Sequence, residues 1–139
     1  MWYTAAMSRH ALTYLAALLA VGVLDYLWLR VIAVDWYQGG MAHLLAPRPN
    51  LWAAAAFYLL YPVGLVVFAV LPSGGDWGRA LALGALFGLF AYGTYDLTNL
   101  AVMRDWPLGL TFIDMAWGTF VSAAGAAAGA LALRSLRVL

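Results

Sequence analysis

Four long apolar stretches alternate with short polar stretches over the length of the chain. They cover residues 11–34, 51–71, 80–103 and 107–133. A helix needs roughly 20 mostly apolar residues to cross the hydrocarbon core of a bilayer, and each stretch meets that length. The polar stretches between them are rich in proline and glycine, which break helices. The pattern predicts an all-α fold, in which a single membrane domain forms a bundle of four transmembrane helices.

The basic residues are unequally distributed between the two ends of the predicted helices. Four crossings place both termini on the same side of the membrane. Arg9, Arg79, Arg134 and Arg137 flank that side, whereas Arg48 and Arg104 flank the other. Because cytoplasmic loops carry an excess of basic residues, this distribution predicts that both termini are cytoplasmic. The longest loop, residues 35–50, is then outside. Its Trp36-Tyr37 and Met41-Ala42-His43-Leu44-Leu45 are expected to lie along the membrane interface as a short amphipathic segment.

The composition agrees with a lipid environment and excludes several kinds of site. Hydrophobic residues make up 66% of the chain and charged residues only 9%, whereas soluble domains carry about a quarter charged residues. There is no cysteine, and the two histidines, His10 and His43, belong to opposite sides of the membrane, so no metal site and no cofactor is predicted. A net charge of +1 argues against a nucleic-acid partner, and the lipid bilayer is the predicted surrounding.

Three aspartates interrupt the apolar stretches at about one depth. Asp96 precedes Asp105 by nine residues and Asp114 follows it by nine residues. At a rise of about 1.5 Å per residue, both should lie roughly 13 Å from the turn at Asp105. Asp25 precedes Asp35 by ten residues, which places it near the same level. The spacing predicts that three carboxyl groups from three helices converge in the outer half of the membrane.

Polar and aromatic side chains are predicted to surround these aspartates. Asn99 and Tyr92 share the helix face of Asp96, because they are three and four residues away from it. Arg30 follows Asp25 by five residues and is the one cation expected near the acids. The predicted ligand-binding residues are Asp25, Asp96, Asp114, Asn99, Tyr58, Tyr61, Arg30, Tyr92 and Trp117. No catalytic residue is assigned.

The three aspartates need a physical reason to lie inside the membrane. A charged carboxylate there costs a few kcal/mol even on the lenient insertion scale. One arginine cannot neutralise three carboxylates, so at least one aspartate is expected to carry a proton at neutral pH. Either the acids form a working site, or they hold the helices together by hydrogen bonds. Such bonds average less than about 1 kcal/mol each, which favours a working site.

Small residues recur at helical spacing in the last two apolar stretches. They are Gly84 and Gly88 in the third stretch, and Gly118, Ser122, Gly125 and Gly129 in the fourth. Small residues four positions apart let helix backbones approach closely. The pattern favours close packing within the bundle, and a homodimer that uses the same face is the alternative.

Several segments resemble a family of small bacterial membrane proteins, domain-of-unknown-function family 2177. They are Leu24-Asp25-Tyr26-Leu27-Trp28, Tyr92-Gly93-Thr94-Tyr95-Asp96-Leu97-Thr98-Asn99-Leu100, Arg104-Asp105-Trp106-Pro107 and Asp114-x2-Trp117-Gly118. The resemblance covers nearly the whole chain. It implies a multi-pass protein of the bacterial inner membrane with four helices, and it implies no established activity, substrate or cofactor.

Three functional hypotheses follow from the predicted layer of Asp25, Asp96 and Asp114, which we call the acid layer. The first is a protein that binds or transports a small lipophilic or cationic ligand, with proton coupling, because a carboxylate among aromatic rings suits an amine. The second is an acid–base enzyme that acts on a lipid or isoprenoid, because a buried neutral aspartate is a competent general acid. The third is an accessory subunit of a membrane complex, in which the polar residues serve assembly. Transport by only four helices would require a dimer.

Overall fold

The computed structural model describes residues 2–135, with side chains from Met7 onward, and this part of the chain is almost entirely helical. The helices are α1 (Trp2–Leu27), α2 (Val34–Met41), α3 (Leu51–Leu65), α4 (Trp77–Val102) and α5 (Leu108–Ser135). A π-helical segment, Trp28–Ile32, continues α1, and another, Val66–Val70, continues α3 into a last helical turn, Leu71–Ser73. Arg137, which was used to predict the orientation, lies outside the described residues.

Four helical stretches are long and apolar enough to cross a bilayer. They are Met7–Ile32, Leu51–Ser73, Trp77–Val102 and Leu108–Ser135, with lengths of 26, 23, 26 and 28 residues. The predicted all-α class with four membrane helices is confirmed. We call the end where α1 begins and α5 ends the terminal end of the bundle. The opposite end, which carries α2 and the turn before α5, is the loop end.

Side-chain caps fix where two of the long helices begin. Asn50 accepts hydrogen bonds from two free backbone N–H groups of α3, and Asp76 does the same for α4. These N–H groups have no partner inside their own helix, so a side-chain oxygen in front of the helix satisfies them. The turn before α4 contains Gly74 and Gly75 at φ angles of 64° and 88°, a left-handed conformation that glycine adopts without strain.

The small residues of α4 and α5 form a close contact between these two helices. A Cβ atom added at Gly84 would lie 2.6 Å from both the Ala126 Cβ and the Ser122 carbonyl oxygen. On the same helix as Ser122, a Cβ atom at Gly125 would lie 2.7 Å from Val21 of α1. The small-residue face of α5 is therefore occupied within the chain. A homodimer would have to use a different surface.

The tightly packed core runs from the middle of the bundle to the terminal end. Its fully buried residues include Ala17, Val21, Leu65, Ala69, Val70, Val121, Ala126, Ala130 and Leu133. Towards the loop end the packing loosens, because residues 51–57 of α3 are all exposed. Beyond the core towards the loop end, residues of α3 and α4 line a cavity.

Helix α2 folds back across the loop end of the bundle. Met41 at its end is buried, with 8% of its surface exposed. A Cβ atom added at Gly40 would be in van der Waals range of Leu110 and Pro107, at 3.7 and 3.8 Å. Helix α2 therefore packs on the first turn of α5. This placement turns Tyr37 towards the interior, whereas the sequence predicted an interfacial position for it.

Candidate functional site

Asp25 connects three helices through its two carboxyl oxygens. The residue is buried near the end of α1, with 4% of its surface exposed. Its Oδ1 accepts a hydrogen bond of 2.7 Å from the indole N–H of Trp117 in α5. Its Oδ2 accepts one of 3.2 Å from the hydroxyl of Tyr58 in α3. Both oxygens are thus satisfied by protein donors, as buried polar groups require.

A stacked pair of tryptophans lies beside Asp25. Directly after this region α1 changes to a π-helix over Trp28–Ile32. The rings of Trp28 and Trp117 stack with their centroids 4.4 Å apart and their planes inclined by 2°. π-Helical segments are rare and are frequent at functional sites. The tryptophan pair connects the surroundings of Asp25 with those of α2.

Tyr37 connects α2 to Asp114 by a hydrogen bond. Its hydroxyl donates a hydrogen bond to Oδ1 of Asp114 and accepts one of 3.3 Å from the indole N–H of Trp28. Burial, and then the hydrogen bond to Asp114, raise the pKa of Tyr37. The hydroxyl therefore stays neutral and remains a donor at physiological pH. Tyr37 covers the acid layer from the loop end.

Asp96 and Asp114 lie side by side in a small cavity beneath α2, which we call the acid chamber. Its volume is about 150 Å³, and the two carboxyl groups are direct neighbours in it. The other lining residues are Tyr37, Met41, Leu45, Tyr95, Trp106, Pro107, Leu110 and Thr111. Asp96 is 2% exposed, and its Oδ2 has no hydrogen-bond partner within the described part of the chain.

A larger cavity, which we call the aromatic cleft, opens between α3 and α4. Its volume is about 410 Å³. It is lined by Phe57, Tyr61, Ala91, Tyr92, Tyr95 and Asp114. Phe57 and Tyr95 are 38% and 54% exposed, so the cleft is open on the side that faces lipid in a membrane. Asp114 and Tyr95 line both the aromatic cleft and the acid chamber.

Two of the predicted tyrosines belong to the wall of the aromatic cleft. The rings of Tyr61 and Tyr92 meet edge to face, with their centroids 6.2 Å apart. The hydroxyl of Tyr61 pairs with Oγ of Ser122 at 2.6 Å rather than with a carboxyl group. The ring of Tyr92 lies directly against Gly118, where a Cβ atom would collide with it. Both tyrosines thus supply ring surface to the cleft.

Arg30 and Asn99 lie apart from the three carboxyl groups. Arg30 is exposed and lines a separate cavity of about 290 Å³ beside Tyr58. The hydrogen bonds that Asp25 accepts come from Trp117 and Tyr58. Asn99 is half-buried, one turn of α4 beyond Asp96.

The sequence did not single out Tyr37 and Trp28 as site residues. Tyr37 lies outside the apolar stretches, and only the fold-back of α2 brings it to Asp114. A signal for this was present, because Val34, Tyr37 and Met41 follow the spacing of a helix with one apolar face. The position of Trp28 depends on the π-helical segment, which has no pattern in the sequence.

The arrangement suits protons and organic cations better than metal ions. Within the described part of the chain, no group of three or more histidine, cysteine, aspartate or glutamate residues is placed to hold a metal ion. The acid chamber offers two carboxyl groups and a tyrosine hydroxyl, which can hold a proton. The aromatic cleft offers ring faces and one carboxyl group, which attract a cation.

The candidate site lies in the part of the chain that matches a protein-family model. A family model described as "Predicted membrane protein (DUF2177)" matches residues 10–131. All residues that line the acid chamber and the aromatic cleft lie within this range. No curated protein and no solved structure matches the chain.

Proposed function

The chain belongs to DUF2177, a family of predicted membrane proteins, and we propose that it binds a lipophilic organic cation that enters the aromatic cleft from the membrane. The observation that carries this proposal is the lining of the cleft, in which aromatic rings surround the carboxyl group of Asp114. A cation over an aromatic ring gains about 2 kcal/mol or more when water is excluded. The carboxylate adds the opposite charge in a medium of low polarity, where charge pairing is strong.

The site residues have different roles in this proposal. Asp114 is the counter-charge of the ligand, and the rings of Tyr61 and Tyr92 form the walls that contact it. Asp25 keeps α1, α3 and α5 together through Trp117 and Tyr58, which holds in place the helices that carry Tyr61 and Asp114. These contacts support a site that is preformed by rigid helices rather than one that is assembled from loops.

We also propose an orientation of the protein in the membrane and the membrane in which it lies. Arg9, Arg79 and Arg134 flank the terminal end, so we place both termini in the cytoplasm. The acid chamber then lies towards the outside of a bacterial inner membrane, which the multi-pass protein crosses as a single domain. Transport across the whole bilayer would extend the proposal, and a homodimer would then supply the wall that four helices lack.

Binding can be tested with two ions of the same shape and opposite charge. The purified protein in detergent is titrated with tetraphenylphosphonium, a permanent lipophilic cation, and separately with the anion tetraphenylborate. We expect the cation to bind at least tenfold more tightly, because Asp114 repels the anion. Asp114→Asn should weaken cation binding at least tenfold, which corresponds to about 1.4 kcal/mol.

The matched control for this experiment is Asp76→Asn at the terminal end. Asparagine also caps helices, so this variant removes one carboxylate and keeps the start of α4. Its affinity for tetraphenylphosphonium should equal that of the wild type. Equal binding of the two ions, or equal cation affinity of wild type and Asp114→Asn, contradicts the proposal.

An acid–base enzyme that acts on a lipid or isoprenoid is the second candidate. The paired carboxyl groups of Asp96 and Asp114 favour it, because Asp114 also faces a cleft that an alkene chain could enter. Incubation with a polyisoprenoid lipid in deuterium oxide distinguishes the two candidates. Enzymatic proton transfer places deuterium on carbon in the recovered lipid, and simple binding leaves the carbon skeleton unlabelled.

A further inference from the structure

Asp25, Asp96 and the half-buried Asp114 differ in what their oxygens contact. Both oxygens of Asp25 accept hydrogen bonds from protein donors. Asp114 lines the acid chamber and the aromatic cleft, and one of its oxygens is bound by Tyr37. Asp96 lines the acid chamber, and its Oδ2 is buried without a partner within residues 7–135. The carboxyl group with the unsatisfied oxygen is thus a direct neighbour of Asp114, which lines both cavities.

A proton between Asp96 and Asp114 resolves both electrostatic problems of this arrangement. A buried carboxylate oxygen without a donor loses its interaction with water and gains nothing in return. Two adjacent carboxylates that are both ionised repel each other strongly in a medium of low polarity. One shared proton turns one oxygen into a donor for the other and leaves the pair with a single negative charge.

We propose that Asp96 and Asp114 share one proton in the acid chamber, and that a cation entering the aromatic cleft displaces it. This inference rests on the proposed function and specifies it further, because binding becomes an exchange of one proton for one cation. The O–H bond of the carboxyl pair breaks, and the proton passes to water at the loop end. The cation then balances the second carboxylate, so the total charge of the site does not change.

We assign the released proton to Asp96 and Asp114, because the other ionisable groups around the acid chamber are either hydrogen-bonded to protein partners or exposed. Tyr37 of α2 donates to Asp114, and its raised pKa keeps it neutral. Tyr95 of α4 lines the chamber, and Tyr61 of α3 pairs with Ser122. Asp25 of α1 is held by its two donors. The charged side chains and the histidine nearest to the loop end are exposed; they are Arg30, Asp35, His43, Arg48, Arg104 and Asp105.

The number of released protons can be measured by calorimetry. Tetraphenylphosphonium has no proton to exchange, so every proton released on binding comes from the protein. Titrations at one pH in two buffers with different ionisation enthalpies give that number directly. We expect about one proton per bound cation for the wild type. The apparent affinity should therefore fall as the pH is lowered, by up to tenfold per pH unit.

Asp96→Asn is the variant that separates exchange from binding. The asparagine amide can donate a hydrogen bond to Asp114 in place of the proton, so Asp114 is left ionised. We expect this variant to bind tetraphenylphosphonium with release of about zero protons and with little dependence on pH. Asp76→Asn, at the distant start of α4, should behave like the wild type in both respects.

The outcomes separate this inference from the proposed function. A wild-type protein that binds the cation without releasing a proton overturns the exchange and leaves the binding site standing. Full proton release from Asp96→Asn overturns the assignment of the proton to this pair. Failure of the wild type to bind the cation at all overturns the proposed function itself. The wild-type proton count decides the question even when a variant does not fold.

Discussion

Asp25, Asp96 and Asp114 show how the same side chain is accommodated in three ways inside one bundle. Within residues 7–135, Asp25 accepts hydrogen bonds at both oxygens, Asp114 accepts one from Tyr37, and Asp96 has a buried oxygen without a partner. Burial of an ionised group without a partner is expensive, so each arrangement restricts the state that its carboxyl group can adopt. These differences are the reason why we propose a structural role for Asp25, and proton and ligand binding for Asp96 and Asp114.

The two hydrogen bonds of the Tyr37 hydroxyl can be tested by a single substitution. Tyr37→Phe keeps the ring but removes the group that bonds both Trp28 and Asp114. We expect a loss of roughly 1 kcal/mol in stability, because two partners lose a hydrogen bond. Thermal unfolding in detergent, followed by tryptophan fluorescence, measures the change.

Tyr26→Phe is the matched control for this substitution. Tyr26 belongs to α1 close to the same layer, and its side chain is 64% exposed. Loss of its hydroxyl should shift the melting temperature very little. A Tyr37→Phe variant that melts together with Tyr26→Phe would show that α2 does not depend on the hydrogen bond to Asp114.

The depth of the aspartates could be predicted from the sequence, and their individual contacts could not. The rise per residue of a helix gives the distance of each aspartate from the turn at Asp105. The equal spacing of nine residues therefore places Asp96 and Asp114 at one level. The direction of each carboxyl group depends on how the neighbouring helices pack. That information lies in contacts between distant residues, as with the bond from Trp117 to Asp25.

At the scale of helices, the site depends on an uneven bundle. Glycines hold α4 and α5 in close contact, while the first turns of α3 stand apart from α4 and leave the aromatic cleft open. The long helices follow from the apolar stretches. The packing of α2 on α5 and the π-helical segment Trp28–Ile32 were not predicted. A short loop helix gains its stability from tertiary contacts, and a π-helical segment has no periodic pattern in the sequence.

The contact between α4 and α5 should be sensitive to a single methyl group. Gly84→Ala places a Cβ atom 2.6 Å from both the Ser122 carbonyl oxygen and the Ala126 Cβ, and neither atom can rotate away. Overpacking of this kind costs about 1–3 kcal/mol. We expect a clearly lower melting temperature for this variant, together with weaker binding of tetraphenylphosphonium, because Tyr92 lies on the same helix as Gly84.

Gly22→Ala in α1 provides the comparison for that change. A Cβ atom at Gly22 meets nothing within 4 Å, and alanine favours the helical conformation by about 1 kcal/mol over glycine. Its melting temperature should stay the same or rise. Equal destabilisation of the two variants would mean that the contact between α4 and α5 is not as close as the structure shows.

At the scale of the whole molecule, the orientation decides which side of the membrane the acid chamber faces. With cytoplasmic termini, α2 and the chamber face outward, and the released proton leaves to the outside. Alkaline phosphatase, which is active only outside the inner membrane, should be inactive when fused after residue 139 and active when inserted after His43. An active C-terminal fusion would reverse the orientation and the direction of proton release.

The position of a bound cation shows whether the aromatic cleft is the binding site, and the arsenic atom of tetraphenylarsonium makes that position visible. This ion has the shape and charge of tetraphenylphosphonium, and its anomalous scattering locates the arsenic in a crystal of the complex. We predict one strong peak between α3 and α4, enclosed by Phe57, Tyr61 and Tyr92 and next to Asp114. A saturated complex with its peak on an outer lipid-facing surface, and with the aromatic cleft unoccupied, would contradict the account.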